Sequence, residues 1–360
     1  LTLTYMKKLV TLVTISILIM SCSNKSNESQ INELDLKKEA KDLFKSISSL
    51  PYEDLPENYQ KLNNPVTISS IDMSNTMSEK AALGKLLYFD KSLSKDRNIS
   101  CNSCHNLDSY GVDNLPTSPG DEKKLGGRNS PSVLYASLHS AQFWDGRAKD
   151  VEEQAGMPIL NPVEHNIPSQ EFLVNRLKSM EKYQQLFKKV FPKDNNPISY
   201  QNLTNAIGAF ERRLIPTSRF DKWLDGDSKQ INEQEKKGLR KFIDNGCVAC
   251  HNGIAIGGQS MQKFGVHDSY WKYTKSKKVD NGLSDITKNN DDQFKFKAPS
   301  LRNIEKTYPY FHDGSVNDLK EAVKIMSKVQ NDTELSDEEI DDIVAFLKTL
   351  TADIDKKYKD

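Results

Sequence analysis

The chain has 360 residues, of which 36% are hydrophobic and 28% charged, with 50 basic side chains balanced by 50 acidic ones. That length allows two domains of ordinary size, and the composition is that of a soluble globular protein. The charge balance excludes a global basic field of the kind that attracts nucleic acid.

In chain order, Lys7 and Lys8 precede an apolar run, Leu9 to Met20, which is too short to span a bilayer comfortably. This is the pattern of an export signal, with Met6 as the expected start and residues 1–5 upstream of it. Ile19-Met20-Ser21-Cys22 resembles a bacterial lipobox, in which Cys22 would be lipidated and become the mature N-terminus. Ordinary cleavage nearby and an uncleaved N-terminal anchor are the alternatives. Residues 1–22 are thus read as a signal peptide, and 23–75 as a tether and N-terminal extension with one short helix.

A helix is predicted over 78–89, where Ala82, Leu83, Leu86 and Leu87 recur at helical spacing behind Ser78 as N-cap. It leads to Cys101-Asn102-Ser103-Cys104-His105. Two thiols three positions apart, followed at once by a histidine, form the attachment signature of a c-type haem. The thiols can make thioethers with the porphyrin vinyl groups, and the adjacent imidazole can reach the iron. The pattern returns 146 residues later as Cys247-Val248-Ala249-Cys250-His251. Two Cys-x-x-Cys pairs could also hold zinc, but zinc gives no reason for a histidine directly after each pair. A thioredoxin-like motif would need one pair near a βαβ pattern. The pentads use four of the five cysteines, so no pair remains for a structural disulfide.

Residues 106–132, rich in Gly, Asn, Pro and Ser, form a long loop suited to wrapping a haem edge. Phe172, Leu173, Leu177, Met180, Tyr183, Phe187 and Val190 predict one helix over 169–191, stopped by Pro192. A second helix is predicted over 200–212, and 217–227 is read as the connection between domains. The second half repeats the plan: a helix over 232–243, the pentad, and a loop over 252–290. A final helix is opened by a Ser336–Glu339 capping box and carries Ile340, Ile343, Val344 and Leu347 on its buried stripe. The fold class is all-α, with two c-type cytochrome domains (76–225 and 226–360), each a few helices and long loops around one covalently bound haem.

Iron with two strong protein ligands moves electrons, whereas iron with an open position binds small molecules. Besides His105 and His251 the chain offers His139, His165, His267 and His312; the C-terminal half also offers Met261 and Met326.

Several segments together resemble the bacterial dihaem cytochrome c peroxidases, a family that also contains MauG. They are Leu83-Gly84-Lys85-Leu86-Leu87-Tyr88-Phe89-Asp90, Asp113-Asn114-Leu115-Pro116-Thr117, Arg128-Asn129-Ser130-Pro131-Ser132 and Phe143-Trp144-Asp145-Gly146-Arg147. Asn161-Pro162-Val163-Glu164, Pro299-Ser300-Leu301-Arg302-Asn303 and Tyr308-Pro309-Tyr310-Phe311-His312-Asp313-Gly314 extend the likeness across both domains. The resemblance implies a periplasmic enzyme that reduces hydrogen peroxide to water with electrons from a small cytochrome c or cupredoxin, and that is commonly a homodimer. It implies two haem c groups, an N-terminal peroxidatic one and a C-terminal relay. His105 and His251 would be proximal ligands, and Met326 the second ligand of the relay. Glu164 would be the acid–base group, with Gln154 lining the same pocket and Trp144 lying between the haems. Asn129, Thr307 and Pro309 would hold one calcium ion.

At one position the chain departs from many relatives: Asp121 stands where they carry a histidine that caps the peroxidatic iron at rest. Aspartate is a poor substitute for imidazole on haem iron. The expectation is therefore little or no need for reductive priming, unless His165 or His139 swings in. Two other readings are a dihaem electron carrier without turnover and a MauG-like protein-modifying oxidase. Met326 disfavours the latter, since MauG-like members have tyrosine there.

Overall fold

The computed structural model describes residues 31–45, Ile68 and 76–360; the export signal and Cys22 lie outside them. The longer helices are α1 (Glu33–Leu43), α2 (Glu79–Phe89), α3 (Val151–Leu160), α4 (Gln170–Lys178), α5 (Glu181–Val190), α6 (Tyr200–Glu211), α7 (Arg219–Leu224), α8 (Glu233–Asp244), α9 (Leu319–Asn331) and α10 (Asp337–Lys348). Among the described residues the only sheet is a pair of three-residue antiparallel strands, β1 (Met261–Lys263) and β2 (Lys295–Lys297), so the all-α expectation holds.

Each half is built on one close crossing of two helices. In the first, a Cβ on Gly84 of α2 would lie 1.8 Å from the carbonyl oxygen of Ala206 on α6, with Phe210 beside it. In the second, a Cβ on Gly238 of α8 would lie 1.8 Å from the carbonyl oxygen of Asp342 on α10, with Phe346 in the matching place. Glycine is required at both points because the helix backbones touch. The N-caps are as expected. Ser78 accepts from the Ala81 N–H, and Ser336 and Glu339 close a reciprocal capping box.

Three expectations are corrected. The single helix over 169–191 is two helices. Met180 has extended backbone, and the Ser179 hydroxyl returns to the Arg176 carbonyl and ends α4. Local side-chain-to-backbone bonding overrides the continuous apolar stripe there. Residues 217–227 are not a simple connection but contain α7, whose Phe220 and Trp223 are buried in the second core. Asp221 of α7 also accepts two bonds from the buried Arg302 guanidinium, at 3.0 and 2.9 Å. Finally, the short helix expected in the tether is α1, and it is docked. Leu36, Ala40 and Phe44 pack into the second core, with Phe44 edge-on to Phe220 at 5.6 Å. Glu33 and Glu39 pair with Lys236 and Arg240 of α8.

The other end of the chain crosses the opposite way. Ile354 and Tyr358 pack with Tyr88, Phe210 and Leu214 in the first core. Each half is thus completed by a segment distant from it in sequence. Burying a side chain such as Phe44 or Tyr358 stabilises by about 1.5–3 kcal/mol each, which holds α1 and the 354–358 segment in place.

Candidate functional site: two haem cradles and the ground between them

The first pentad forms a single helical turn, Cys101–Cys104, held by a reciprocal bond pair between Ser100 and Ser103. The His105 N–H then bonds the Cys101 carbonyl at 2.9 Å, which closes the turn. Tyr88 of α2 donates its hydroxyl to the His105 carbonyl at 2.5 Å. The imidazole Nδ1 lies 3.0 Å from the Pro131 carbonyl oxygen, which can only accept, so Nδ1 carries the proton and Nε2 presents a lone pair. The second pentad repeats this construction: the His251 N–H bonds the Cys247 carbonyl at 3.0 Å, and Nδ1 faces the Pro299 carbonyl oxygen at 3.1 Å.

The residues fit haem c. None of the four pentad thiols is in a disulfide, and burial raises each above the ordinary thiol range, Cys104 and Cys247 to about 11. Both imidazoles are kept neutral by burial, which suits a metal ligand. Beside the second pentad lies a large, mostly apolar cavity lined by Cys247, Cys250, His251, Ile343, Leu347 and Met326. Met326 on α9 therefore faces the same space as His251. Met261 does not line it; its sulfur packs toward Gly146. Among the described residues no three His, Cys, Asp or Glu side chains converge as a metal cluster, so the two pairs do not form one zinc site.

Glu164 lies in the turn that follows α3. Asn161 donates its side-chain amide to Glu164 Oε1 at 2.7 Å, and the Glu164 N–H bonds the Asn161 carbonyl. Burial pushes the carboxyl above its ordinary value, while Asn161 and the Arg147 charge pull it back in part. Gln154 stands half-buried on α3, and no hydrogen bond joins it to Glu164. The loop carrying Asp121 crosses directly over this turn: a Cβ on Gly120 would lie 1.9 Å from the Val163 carbonyl oxygen. The Asp121 N–H bonds the Glu164 carbonyl at 2.8 Å.

Asp121 itself is buried, and both its carboxylate oxygens accept from the Asp96 N–H at 3.2 Å. It braces the 94–98 turn. Of the histidines named as substitutes, His139 is engaged in the other half, whereas His165 is bonded through Nδ1 in the manner of His105 and His251. His165 is buried with Nδ1 on the Leu93 carbonyl at 3.0 Å, and burial lowers its pKa to about 4. His139 is held 3.0 Å from the Lys297 amine in the other half of the molecule.

Trp144 joins the halves. Its indole N–H donates to the Asn129 carbonyl at 2.9 Å, and its own carbonyl accepts from the Lys297 N–H at 2.7 Å. Asn129, Thr307 and Pro309 line one stretch of the inter-domain cavity, and Asn129 spends its side-chain N–H on Leu115, leaving Oδ1 free. The peptide between Tyr308 and Pro309 is cis.

Sequence reasoning did not single out Asn161, Arg147 or Arg128. Arg128 grips Asp280 of the second half through two bonds, at 2.7 and 2.9 Å, and Asp145 of the first at 2.6 Å. Arg147 shares Asp145 and stacks on Phe143 at 3.4 Å. These residues lie inside or beside the segments quoted above, but ion pairing across sequence gaps has no local pattern.

A two-domain c-type cytochrome is the class that this fold and these cradles define. Residues 78–229 match the family model of the di-haem cytochrome c peroxidases, and 235–351 match that of cytochrome c. The cytochrome c551 peroxidase of Nitrosomonas europaea is 47% identical over 81% of this chain and 85% of its own length. That of Pseudomonas aeruginosa is 45% identical over 76% and 79%. Among solved structures, a MauG-like protein associated with microbial copper homeostasis superposes with a TM-score of 0.69 at 29% identity, covering 84% of this chain and 95% of its own. The chain belongs to the di-haem cytochrome c peroxidase family. It is therefore an enzyme of the cytochrome c peroxidase class, with two cytochrome c domains that imply two haem c groups.

Proposed function

We propose that the protein reduces hydrogen peroxide to water at the first cradle, with two electrons and two protons consumed per peroxide. The electrons come from a small cytochrome c or cupredoxin and enter through the second cradle. The single observation that carries this reading is the contrast in what lies near each pentad. Met326 shares the cavity of His251, whereas the carboxyl close to the first pentad is Glu164, whose charge acts on Cys104. When bound, the haems supply the redox chemistry: one with two protein ligands passes electrons, and one with an open position accepts peroxide.

The protein residues then have separate tasks. Glu164, oriented by Asn161, takes a proton from one peroxide oxygen and returns it to the departing one, so that the leaving group is water rather than hydroxide. Arg147 tempers the rise in Glu164 proton affinity that burial causes, which keeps a share of the carboxyl ionised. Trp144, bonded from both halves, holds the ground between the cradles at fixed geometry. Gln154 is assigned to the same pocket on the family resemblance. Asn129, with the carbonyls of Thr307 and Pro309, takes a calcium ion, since three neutral oxygens on two domains suit a hard cation.

Asp121 and His139 are committed to other partners, so neither would cap a haem held at the first pentad, and the enzyme turns over without prior reduction. The work is done in the periplasm. Cys22 serves as a lipid anchor, and the protein acts as a homodimer in the manner of its relatives. No described helix is long and apolar enough to cross a membrane.

The test is peroxide turnover by the fully oxidised holoprotein, with an EPR spectrum of the resting state and a reduced small cytochrome as donor. A high-spin ferric signal with immediate turnover is expected. Two low-spin signals without turnover, before or after one-electron reduction, would leave an electron carrier.

A further inference from the structure

Lys297 is one of the few lysines buried in the molecule, with 6% of its surface exposed, and it lines the cavity that holds Cys247, Cys250 and His251. Its amine has one hydrogen-bond partner, His139 Nδ1 at 3.0 Å, and no carboxylate within ion-pair distance among the described residues. Because the amine donates, His139 Nδ1 is the unprotonated nitrogen and its proton sits on Nε2. That Nε2 is buried and has no partner. The pair therefore offers two unused amine N–H donors and one imidazole N–H, with no acceptor for any of them. A buried cation with no paired carboxylate is costly, and burial pulls Lys297 down to about 7 although the Asp145 charge opposes it.

Neither side chain is free to leave. The His139 ring is seated on Gly258, where a Cβ would lie 2.3 Å from the ring Cδ2. On either flank, Gln259 donates to the Leu138 carbonyl at 2.7 Å and the Ser140 N–H bonds the Gly258 carbonyl at 2.9 Å. Lys297 is fixed through its own N–H on the Trp144 carbonyl, two residues before the Pro299 that receives His251. The pair is a set of donors built from both domains on the wall of a mostly apolar cavity.

We propose that the Lys297–His139 pair is a carboxylate-binding site for a propionate of the haem carried by Cys247 and Cys250. The inference rests on the reading that this pentad carries haem c, and it assigns the anion that the site lacks. A propionate held this way has its charge offset in a low-dielectric setting, which removes a stabilisation of the oxidised iron and raises that haem's potential. His139 comes from the first domain, so the same contact ties that haem to the peptide that carries Trp144.

The experiment compares wild-type holoprotein with K297M, K297R and H139Q. Haem content of two per chain is confirmed first; fewer in the wild type would fail the two-haem reading itself and not this one. Midpoint potentials are then measured by spectroelectrochemistry, and the propionate bending band of each haem by resonance Raman. The expected result is a negative shift of the second haem's potential in K297M, with a moved propionate band, an unchanged first haem and near-wild-type values in K297R. H139Q is expected to shift the same haem less, and it carries the test should K297M not mature. An unaltered potential and band in K297M, or in H139Q where K297M is lost, would overturn the assignment. So would a shift confined to the first haem, which would give the site to the other haem's propionate.

Discussion

Around the two pentads the halves of the molecule share several bonds. Pro131 and Pro299 each receive an imidazole Nδ1. The serine after each proline donates to the loop that follows its pentad, Ser132 to the Tyr110 carbonyl at 2.7 Å and Ser300 to the Ala255 carbonyl at 2.6 Å. Gly84 and Gly238 make the same helix contact. In the proposed assignment the halves diverge on the distal side: Met326 of α9 lines the cavity of His251, and Glu164 lies in the turn after α3. The repeat fixes the half that must hold a group in place. The difference lies where iron would either be closed for electron relay or left open for chemistry. The largest expected effect is therefore on the distal side. Glu164→Gln should lower kcat/KM for peroxide by about 10²–10⁴-fold with both proximal spectra unchanged. Because burial raises the Glu164 pKa, the acid limb of the pH–rate profile in the wild type should lie above the range of an exposed glutamate and vanish in the variant. A variant of full activity would move the acid–base role elsewhere.

The helix crossings test the shared half. Gly84→Ala and Gly238→Ala each place a methyl 1.8 Å from a backbone carbonyl oxygen of the facing helix. Two rigid backbones must separate, so each should cost about 3 kcal/mol or more, at the upper end of overpacking. Thermal unfolding of the two variants should show similar losses. A large loss in one half and none in the other would break the equivalence of the crossings.

Much of this equivalence was legible in the sequence. The pentads, Ser78, and Ser336 with Glu339 are local patterns whose geometry follows from spacing alone. The Pro-Ser segments lay within recognised motifs, but nothing in them says that a proline carbonyl will meet an imidazole 26 or 48 residues away. The docking of α1, the burial of Asp221 against Arg302 and the reach of Tyr358 to the first core depend on tertiary placement. The break at Ser179 was hidden by an apolar stripe that both resulting helices share. Asp121 was legible as a missing imidazole, and its bracing of the Asp96 turn was not.

One mismatch lies inside the shared half. By the matched crossings, Ala206 and Phe210 correspond to Asp342 and Phe346, so Glu211 falls where the second half has the buried Leu347. Burial pushes the Glu211 carboxyl up to about 8, with the Glu152 charge adding to the rise. A raised folded-state pKa means that the folded protein holds a proton the unfolded chain has released. Its stabilising contribution is full below the unfolded value and is lost as pH climbs toward 8. Glu211→Leu, the residue of the other half, should therefore raise Tm by about 5 °C at pH 9 and change it far less at pH 5. An equal shift at both pH values would trace the effect to packing instead of titration.

The smallest effect is the finest test of the repeat. Ser132 and Ser300 each donate a hydroxyl to the loop behind their pentad, and each also accepts a backbone N–H two residues on, from Leu134 at 3.1 Å and Arg302 at 3.2 Å. Replacing either by alanine removes two neutral hydrogen bonds and leaves a partly buried carbonyl to find another donor. The cost should be about 1–2 kcal/mol in each half. The second half has further support nearby, because Arg302 also donates to the Ile254 carbonyl at 2.7 Å. Chemical denaturation of S132A and S300A should therefore show the greater loss in S132A. The reverse order would mean that the loop behind the second pentad depends on its serine despite the buried arginine.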